Sequence, residues 1–267
     1  MMILFLYAFY LSRSQKKRLL KNFQEKNTLI LAHRGLQSKH LENTVEAFHA
    51  AFSIGVDGVE FDVQMSRDLI PVVFHDRSLK RLSGVENNID QLSFDELSQL
   101  HLLSEKYSKH YRITKLEDVL RVLPDNKVIN IELKETVLLK GEKSVKKVLD
   151  CILPHKNRLK IIVSSFDARI LNCVAKQEKS LALGYLLDKK LTLISFLRSR
   201  FILDKIDFLH PHLELLNPQL SRKIKNMDLK LIPWGHKKIG KEAFIFHDGH
   251  FALISDACPE LVQHYRR

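Results

Sequence analysis

Residues 55–76, GVDGVEFDVQMSRDLIPVVFHD, contain two short apolar runs that carry two acids and a histidine. In the run GVEFDV (58–63), apolar and polar residues alternate, which is the period-two pattern of a β-strand whose two faces differ. Glu60 and Asp62 therefore point to the same side of the strand, with Cβ atoms roughly 7 Å apart. Two carboxylates at this spacing repel each other unless a cation lies between them, so the pair suits a hard divalent metal ion.

The second apolar run, PVVF (71–74), delivers His75 and Asp76 at its end, where the chain becomes polar. A histidine at the exit of a strand is well placed for proton transfer. Considered alone, residues 55–76 are equally typical of a half-buried strand with a solvated polar face. The rest of the chain decides between the two interpretations.

Outside this stretch, apolar runs alternate with longer segments that have helical spacing. Eight runs are candidates for parallel strands: TLILA (28–32), GVEFDV (58–63), VINIELK (128–134), LKIIVSSF (159–166), ALGYLL (182–187), FLHPHLE (208–214), KLIPWG (230–235) and FALISD (251–256). Eight strands with helical crossovers predict an α/β fold, a (β/α)8 TIM barrel. PVVFH (71–75) is then a hairpin partner that opens a short insertion after the second strand. A doubly wound open sheet is the alternative, but no glycine-rich phosphate loop follows the first strand.

Helix signals lie between these runs. In NTVEAFHAAFSI (43–54) the apolar residues have helical spacing, Asn43 or Thr44 is a plausible N-cap, and Gly55 is a stop signal. Within the insertion, SFDELSQL (93–100) has the spacing of a capping box. LEDVLRVL (116–123) precedes a proline and also predicts a helix.

The composition describes one domain of barrel size. The chain has 267 residues, of which 45% are hydrophobic and 28% charged, so it can bury one large core. Its three cysteines have neither paired nor CxxC spacing, which favours a reducing compartment such as the cytoplasm. The formal net charge of +12 fits an anionic ligand or plain solubility. Because no surface of interleaved aromatic and basic residues is evident, we expect no nucleic-acid partner.

The N-terminus predicts a separate leader, residues 1–27, before a domain over residues 28–267. An apolar run, MMILFLYAFYL (1–11), is followed by the basic SRSQKKRLLK (12–21). The apolar run is too short for a membrane span, which needs about 20 residues, and it lacks a secretory cleavage site. A surface anchor, a truncated signal and an extra translated leader stay open. The apolar and basic parts together favour peripheral contact with an anionic membrane.

Polar side chains follow several of the predicted strands. In a TIM barrel the C-terminal ends of the strands converge on one face, where these enzymes place their sites. The residues expected there are His33, Arg34, Glu60, Asp62, His75, Glu132 and Lys134. A metal ion with cationic side chains can offset the charge of a phosphodiester, while two histidines exchange protons with the attacking and departing oxygens. The pattern therefore indicates phosphodiester chemistry.

In order along the chain, HRG (33–35), ENT (42–44), GVDGVEFDVQ (55–64), VVFHD (72–76) and IELK (131–134) resemble the signature of the glycerophosphodiester phosphodiesterase family. The resemblance runs from about residue 28 to the C-terminus. It implies a TIM barrel and hydrolysis of glycerophosphodiesters to glycerol 3-phosphate and an alcohol. It also implies a divalent metal ion, usually Ca²⁺ or Mg²⁺.

The resemblance assigns roles to individual residues of this sequence. It makes His33 and His75 the acid–base pair, Glu60, Asp62 and Glu132 the metal ligands, and Arg34, Lys134, Glu42 and Trp234 the substrate contacts. Glu42 with Asn43 is equally a helix-capping pair, and Trp234 is also a candidate core residue. RDLIP (67–71), GHKK (235–238) and SDACP (255–259) depart from the family pattern. The last two lie on the substrate side, which leaves the alcohol leaving group open.

Three other functions share these features. A lysophospholipid at a membrane surface could replace the small glycerophosphodiester as substrate. A related enzyme could form a cyclic phosphate from the substrate's own hydroxyl group. A catalytically silent barrel could bind anionic lipid, although such a barrel has no need of both histidines and three acids.

Overall fold

The computed structural model describes residues 27–103, 106–107, 109–188, 202, 204–225, 227–235 and 250–266. Its ten strands are β1 (Leu29–His33), β2 (Gly58–Met65), β3 (Pro71–Val73), β4 (Thr114–Lys115), β5 (Val128–Leu133), β6 (Lys160–Ser165), β7 (Ala182–Leu187), β8 (Phe208–Pro211), β9 (Lys230–Leu231) and β10 (Ala252–Ser255). Eight of them form parallel pairs in the order β10-β1-β2-β5-β6-β7-β8-β9. These eight are the eight runs that the sequence predicts.

The two ends of this strand order meet. The N–H of Phe251 donates to the carbonyl of Leu231 at 3.1 Å, and the N–H of Ile254 donates to the carbonyl of Pro233 at 3.0 Å. These hydrogen bonds join β10 to the chain around β9. The sheet therefore closes on itself as a (β/α)8 TIM barrel, as the sequence predicts.

The helices that the structure describes cover the outside of the barrel and the insertion. They are α1 (Val45–Ser53), α2 (Lys80–Ser83), α3 (Phe94–Gln99), α4 (Leu116–Val122), α5 (Thr136–Leu139), α6 (Glu142–Ile152), α7 (Ala168–Gln177), α8 (Pro218–Lys225) and α9 (Cys258–Tyr265). Thr44 is the N-cap of α1, where its hydroxyl accepts a hydrogen bond from the N–H of Ala47. Asn43 is not the cap. Gly55 follows the C-cap residue with a positive φ of 92°, as expected of a helix stop.

The insertion lies between β2 and β5. β3 pairs antiparallel with β2, and β4 pairs antiparallel with β3, so the predicted hairpin is confirmed. Helices α2 and α3 belong to the insertion, and α3 begins with the predicted capping box of Ser93 and Glu96. Together with Leu41 from the segment between β1 and α1, the insertion buries a separate apolar cluster: Val72, Phe74, Leu79, Leu82, Ile89, Leu97, Leu102, Tyr111 and Ile113. Packing of Phe74 in this cluster fixes the strand exit that carries His75.

Strand β2 shows why the site lies where it does. All eight of its residues are buried. Val59, Phe61 and Val63 belong to the large apolar cluster between the sheet and the outer helices. The alternate residues, which include Glu60 and Asp62, therefore face the barrel interior. A smaller apolar cluster fills the lower part of that interior: Leu29, Leu31, Val128, Ile162, Ala182, Phe208, Ile232, Phe251, Ala252 and Ile254.

Two expectations concern the cell compartment and the leader. The three cysteines, Cys151, Cys173 and Cys258, are free thiols. No helix within the described residues is long and apolar enough to cross a membrane. Residues 1–26 of the predicted leader lie outside the described residues.

Candidate active site

Three carboxylates meet inside the upper part of the barrel. Glu60 and Asp62 come from β2, and Glu132 comes from β5, where it is the register partner of Asp62. One carboxylate oxygen from each lies within 4.8 Å of the others. The three residues are 3%, 1% and 7% exposed, respectively. The sequence-predicted acids therefore form one buried cluster.

The cluster has the electrostatics of a cation site. Burial, together with the charge of Asp62, raises the pKa of Glu60 to about 8. Burial likewise raises the pKa of Glu132. Burial also works against ionisation of Asp62, but the charges of Lys134 and Arg34 hold its pKa well below the usual range. One carboxylate in the cluster is thus firmly ionised, and two resist ionisation unless more positive charge arrives.

Two cationic side chains contact this cluster. Lys134 Nζ lies 2.8 Å from Asp62 Oδ1 and also contacts Glu132. Arg34 Nε lies 3.2 Å from Asp62 Oδ2. Although burial opposes it, these carboxylates raise the pKa of both Lys134 and Arg34, so both stay charged. The two predicted phosphate contacts are therefore adjacent to the predicted metal ligands.

The donor set fits a hard divalent metal ion. Glu60, Asp62 and Glu132 offer only oxygen atoms, which Ca²⁺ and Mg²⁺ prefer. Asp62 Oδ1 is buried, and Lys134 Nζ is the charged group 2.8 Å from it. Asn43 orients the same carboxylate, because its Nδ2 donates to Asp62 Oδ2 at 2.8 Å and its Oδ1 accepts from the N–H of Asp62 at 3.2 Å. An ion bound by these three acids would offset the burial and the repulsion that together raise the pKa of Glu60.

His33 lies at the end of β1, beside the acids. Its Nδ1 is 2.6 Å from Asp256 Oδ1, and its Nε2 is 3.9 Å from Glu60 Oε2. Burial works against the imidazolium, but the hydrogen bond with Asp256 and the charge of Glu60 outweigh it and raise the pKa of His33. The side chain of Gln37 donates through Nε2 to Asp256 Oδ1 at 3.0 Å and to the carbonyl of His33 at 2.9 Å.

His75 has the same kind of carboxylate partner. Its Nδ1 is 2.6 Å from Asp76 Oδ1. Its backbone is held as well, because Gln64 Nε2 donates to the carbonyl of His75 at 2.8 Å. Burial opposes ionisation of Asp76, but hydrogen bonds from His75 and Arg81 hold its pKa well below the usual range. In each histidine, therefore, a carboxylate binds Nδ1 and Nε2 remains for proton exchange.

Glu42 lies between two guanidinium groups. Its Oε1 accepts from Arg34 Nη1 at 3.2 Å and from Arg81 Nη2 at 2.7 Å. The Glu42 side chain is only 11% exposed. Glu42 is thus neither a helix cap nor an isolated acid, and in this arrangement it orients Arg34.

Trp234 is half-buried at the end of the β9 segment. Its Nε1 donates to the carbonyl of His210 at 3.0 Å. Its ring makes edge contacts with His212, at 4.7 Å between ring centroids, and with Phe166, at 5.6 Å. The ring therefore forms part of an aromatic wall at the C-terminal face of the barrel. Gly235 is described, whereas the rest of the unusual GHKK segment lies outside the described residues.

A cavity of about 490 Å³ lies beside Glu132 of the acid cluster. Its lining includes Glu132, Lys134, Phe166, Asp167 and Arg169. The hydroxyl of Ser165, which also lines the cavity, donates to the carbonyl of Leu133 at 2.7 Å. The cavity provides room for a small polar ligand beside the acids.

Sequence reasoning missed several members of this network. Asp256 is the partner of His33 although 223 residues separate them. Its position as the last residue of a predicted strand could have drawn attention to it, because such positions converge in a barrel. Asp76 follows His75 directly and offered a similar signal. The contacts of Arg81 had no sequence signal.

Comparison with known proteins agrees with this arrangement. Residues 33–247 match the model of the glycerophosphoryl diester phosphodiesterase family. A glycerophosphodiester phosphodiesterase of Caldanaerobacter subterraneus is 30% identical over 211 residues, which cover 78% of this chain and 85% of the relative. Lysophospholipase D GDPD1 of Mus musculus is 26% identical over 244 residues, covering 88% of this chain and 73% of the relative.

The solved structures include a glycerophosphodiester phosphodiesterase of Thermotoga maritima. It is 29% identical, superposes with a TM-score of 0.71, and the match covers 90% of this chain and 100% of that protein. The family match extends over most of the chain and includes every strand from β2 to β9, with the motifs at their ends. The chain therefore belongs to the glycerophosphoryl diester phosphodiesterase family.

Proposed function

We propose that the protein hydrolyses glycerophosphodiesters to glycerol 3-phosphate and an alcohol by metal-dependent general acid–base catalysis. One observation carries the proposal: two imidazoles, each with a carboxylate at Nδ1, lie at the rim of a buried cluster of three acids and two cations. Family membership supports the same reaction. A binding module would have no use for this pairing of histidines with carboxylates.

His33 and His75 are the proposed proton-transfer groups. Because a carboxylate accepts the proton at Nδ1 of each ring, a neutral imidazole presents Nε2 as a base and an imidazolium presents Nε2–H as an acid. One histidine would take a proton from the attacking water molecule, and the other would protonate the departing alkoxide. The mutant experiment below assigns the two roles.

Arg34 and Lys134 are the proposed phosphate contacts. Their charged groups lie within about a hydrogen-bond length of Asp62, at 3.2 Å and 2.8 Å, so a phosphate beside the acids would be within their reach. Glu60, Asp62 and Glu132 would hold the metal ion, either Ca²⁺ or Mg²⁺. A bound divalent ion would supply positive charge for the nonbridging phosphate oxygens.

A lysophospholipid is the second substrate class that we propose to test. The similarity to a relative named lysophospholipase D favours it. Its headgroup contains the same phosphodiester as glycerophosphocholine, so the chemistry at the acids and histidines would be unchanged. Only the surroundings of the glycerol-linked chain would differ.

The test is a substrate screen with purified protein. Glycerophosphocholine, glycerophosphoethanolamine, glycerophosphoinositol and lysophospholipids are each incubated with excess chelator, with added Ca²⁺ and with added Mg²⁺. We expect release of glycerol 3-phosphate from at least one diester, loss of turnover in chelator and recovery with one of the ions. Full turnover in excess chelator would contradict the metal assignment. Release of a cyclic phosphate would show that a hydroxyl group of the substrate, and not water, attacks the phosphorus first.

Single substitutions test the histidines. His33→Ala and His75→Ala should each lower kcat by roughly 10²-fold or more, because a positioned acid or base is typically worth 10²–10⁴-fold. Stabilisation by the metal ion should remain in both variants. A nitrophenyl diester, whose leaving group needs no proton, should restore activity to the variant that lacks the acid and not to the one that lacks the base. Near-normal turnover by both variants would refute the acid–base assignment.

We further propose that the leader, residues 1–27, attaches the enzyme to anionic membrane surfaces. Its apolar and basic composition supports this, because Lys and Arg beside an inserted apolar segment are attracted to anionic lipid. Deletion of residues 1–18 should lower binding to anionic vesicles and leave turnover of soluble diesters unchanged. Equal vesicle binding with and without the segment would refute its role as a membrane anchor.

A further inference from the structure

Arg81 joins two parts of the candidate site. It lies in α2, within the insertion, and its side chain is 47% exposed. Its guanidinium group binds two carboxylates at once. Nη1 and Nη2 donate to Glu42 Oε2 and Oε1 at 3.2 Å and 2.7 Å, and Nε donates to Asp76 Oδ2 at 2.5 Å. All three nitrogen atoms of the Arg81 guanidinium group thus donate to carboxylates.

The two carboxylates reach functional side chains on their far sides. Asp76 Oδ1 lies 2.6 Å from His75 Nδ1. Glu42 Oε1 accepts a hydrogen bond from Arg34 Nη1 at 3.2 Å. Asp76 therefore links Arg81 to His75, a proposed proton-transfer group, and Glu42 links Arg81 to Arg34, a proposed phosphate contact.

The Asp76 link restricts His75 in two ways. With Oδ2 held by Arg81, the carboxylate cannot rotate without losing a charge-assisted hydrogen bond, so Oδ1 stays directed at the imidazole. A carboxylate fixed at Nδ1 also selects the tautomer that leaves Nε2 as the proton-exchanging atom. Without Arg81, Asp76 would be a partly exposed side chain on the rim, able to turn towards water. The ring of His75 would then lose both its orientation and its preferred tautomer.

We propose that Arg81, supplied by the insertion, is a positioning residue that sets the orientation of the His75 imidazole through Asp76 and of the Arg34 guanidinium through Glu42. This rests on the proposed function, because it requires His75 to take part in turnover. Arg81 itself contacts neither the acid cluster nor the catalytic imidazoles in the described contacts. Its influence on the reaction therefore passes through other side chains, chiefly Asp76.

The central experiment is a double-mutant cycle on kcat with a soluble diester. Arg81→Gln should lower kcat by about 10- to 100-fold, because small misplacements of a reacting group have effects of this size. In the His75→Ala background the same substitution should lower kcat by less than about threefold, since residues that act as one unit are strongly non-additive. Arg81→Lys, which keeps the charge but not the planar fork, should recover only part of the loss.

Arg67→Gln is the matched control. Arg67 is also an insertion arginine, 53% exposed, with one carboxylate partner, Glu96, and one backbone carbonyl partner. It belongs to none of the groups around the acids, so its loss should leave kcat unchanged. A general effect of removing an insertion arginine would appear equally in both variants.

The outcomes separate this inference from the proposed function. Suppose that His75→Ala lowers kcat and that the fold-loss of the double variant equals the product of the fold-losses of the two single variants. The positioning role through His75 is then wrong, while the proposed function stands. If His75→Ala keeps full turnover, both this inference and the acid–base role proposed for His75 are wrong, whereas the hydrolysis itself is still observed. Should Arg81→Gln fail to fold, Asp76→Asn breaks the same link at its other end and must show the same non-additivity with His75→Ala; multiplication of those effects would equally overturn the proposal.

Discussion

Glu60→Gln tests whether the acid cluster is strained until a metal ion binds. Glu60 is 3% exposed, and its pKa of about 8 lies far above the value of 4.5 for an ordinary glutamate. Between these two pH values the folded protein binds more protons than the unfolded chain, so stability should fall as the pH rises. Asp62, whose pKa is lowered, contributes stability that is lost only in strong acid and does not change in this window. Glutamine mimics the protonated acid and should remove the contribution of Glu60 to this slope.

The expected magnitude follows from the pKa. Each pH unit between the two values is worth about 1.4 kcal/mol. From about pH 5.5 to about pH 8, the free energy of unfolding of the wild type should therefore fall by about 3 kcal/mol relative to Glu60→Gln. The two proteins should be equally stable only below about pH 4.5, where Glu60 is protonated in both the folded and the unfolded state, and the variant should be the more stable at the alkaline end.

Urea unfolding at fixed temperature in excess chelator measures this difference across the pH range. Glu117→Gln is the matched control, because it makes the same substitution at a surface carboxylate that is 59% exposed and paired with Arg121. Added Ca²⁺ or Mg²⁺ should reverse the order, since only the wild type keeps all three acids. The stabilisation by metal should itself grow with pH, because a proton on Glu60 competes with the ion. A stability difference that does not vary with pH, or a full metal-induced shift in Glu60→Gln, would refute this explanation.

Two further predictions concern single contacts. Asp256→Asn should lower kcat by about tenfold or more without loss of metal-induced stabilisation, because the amide no longer favours the imidazolium of His33. A kcat within about twofold of the wild type would show that the 2.6 Å contact between His33 and Asp256 does not matter for turnover. Gly184→Ala should destabilise the protein by about 1–3 kcal/mol in urea unfolding, because a Cβ there would lie 2.3 Å from Nε2 of the fully buried His210. Adding His210→Ala should return part of that loss, whereas full additivity of the two substitutions would contradict the steric explanation.

The sequence predicted those features that depend on neighbours along the chain. Alternation in β2 placed Glu60 and Asp62 on the interior face, because a strand repeats every two residues whatever it packs against. The caps at Thr44 and Ser93 follow from hydrogen bonds within three residues. The hairpin of β3 with β2 and all eight parallel strands were also predicted, since each is a short apolar run bounded by polar residues.

What the sequence did not predict depends on partners that are distant in the chain. Asp256 binds His33 only because β10 pairs with β1. Arg81 was one of many basic residues, and nothing local distinguishes a guanidinium that binds two carboxylates from one that is solvated. Asn43 was considered as a cap, but with a φ of 59° its side chain turns instead to Asp62. In each case the partner of the side chain is set by long-range packing, because residues adjacent in the sequence do not favour one partner over another.

The pairing of His33 with Asp256 has a consequence for protein synthesis. His33 lies at the end of the first barrel strand, and Asp256 follows the last one. A nascent chain that has passed residue 134 already contains all three acids, both histidines, Arg34 and Lys134, but β1 still lacks its partner strand β10. Until residues 252–256 emerge, the edge of β1 stays open to wrong pairing and His33 has no carboxylate. Barrel closure and formation of the His33–Asp256 pair therefore occur in the same late step. Hydrolysis should begin only when β10 has paired with β1 and the sheet is closed.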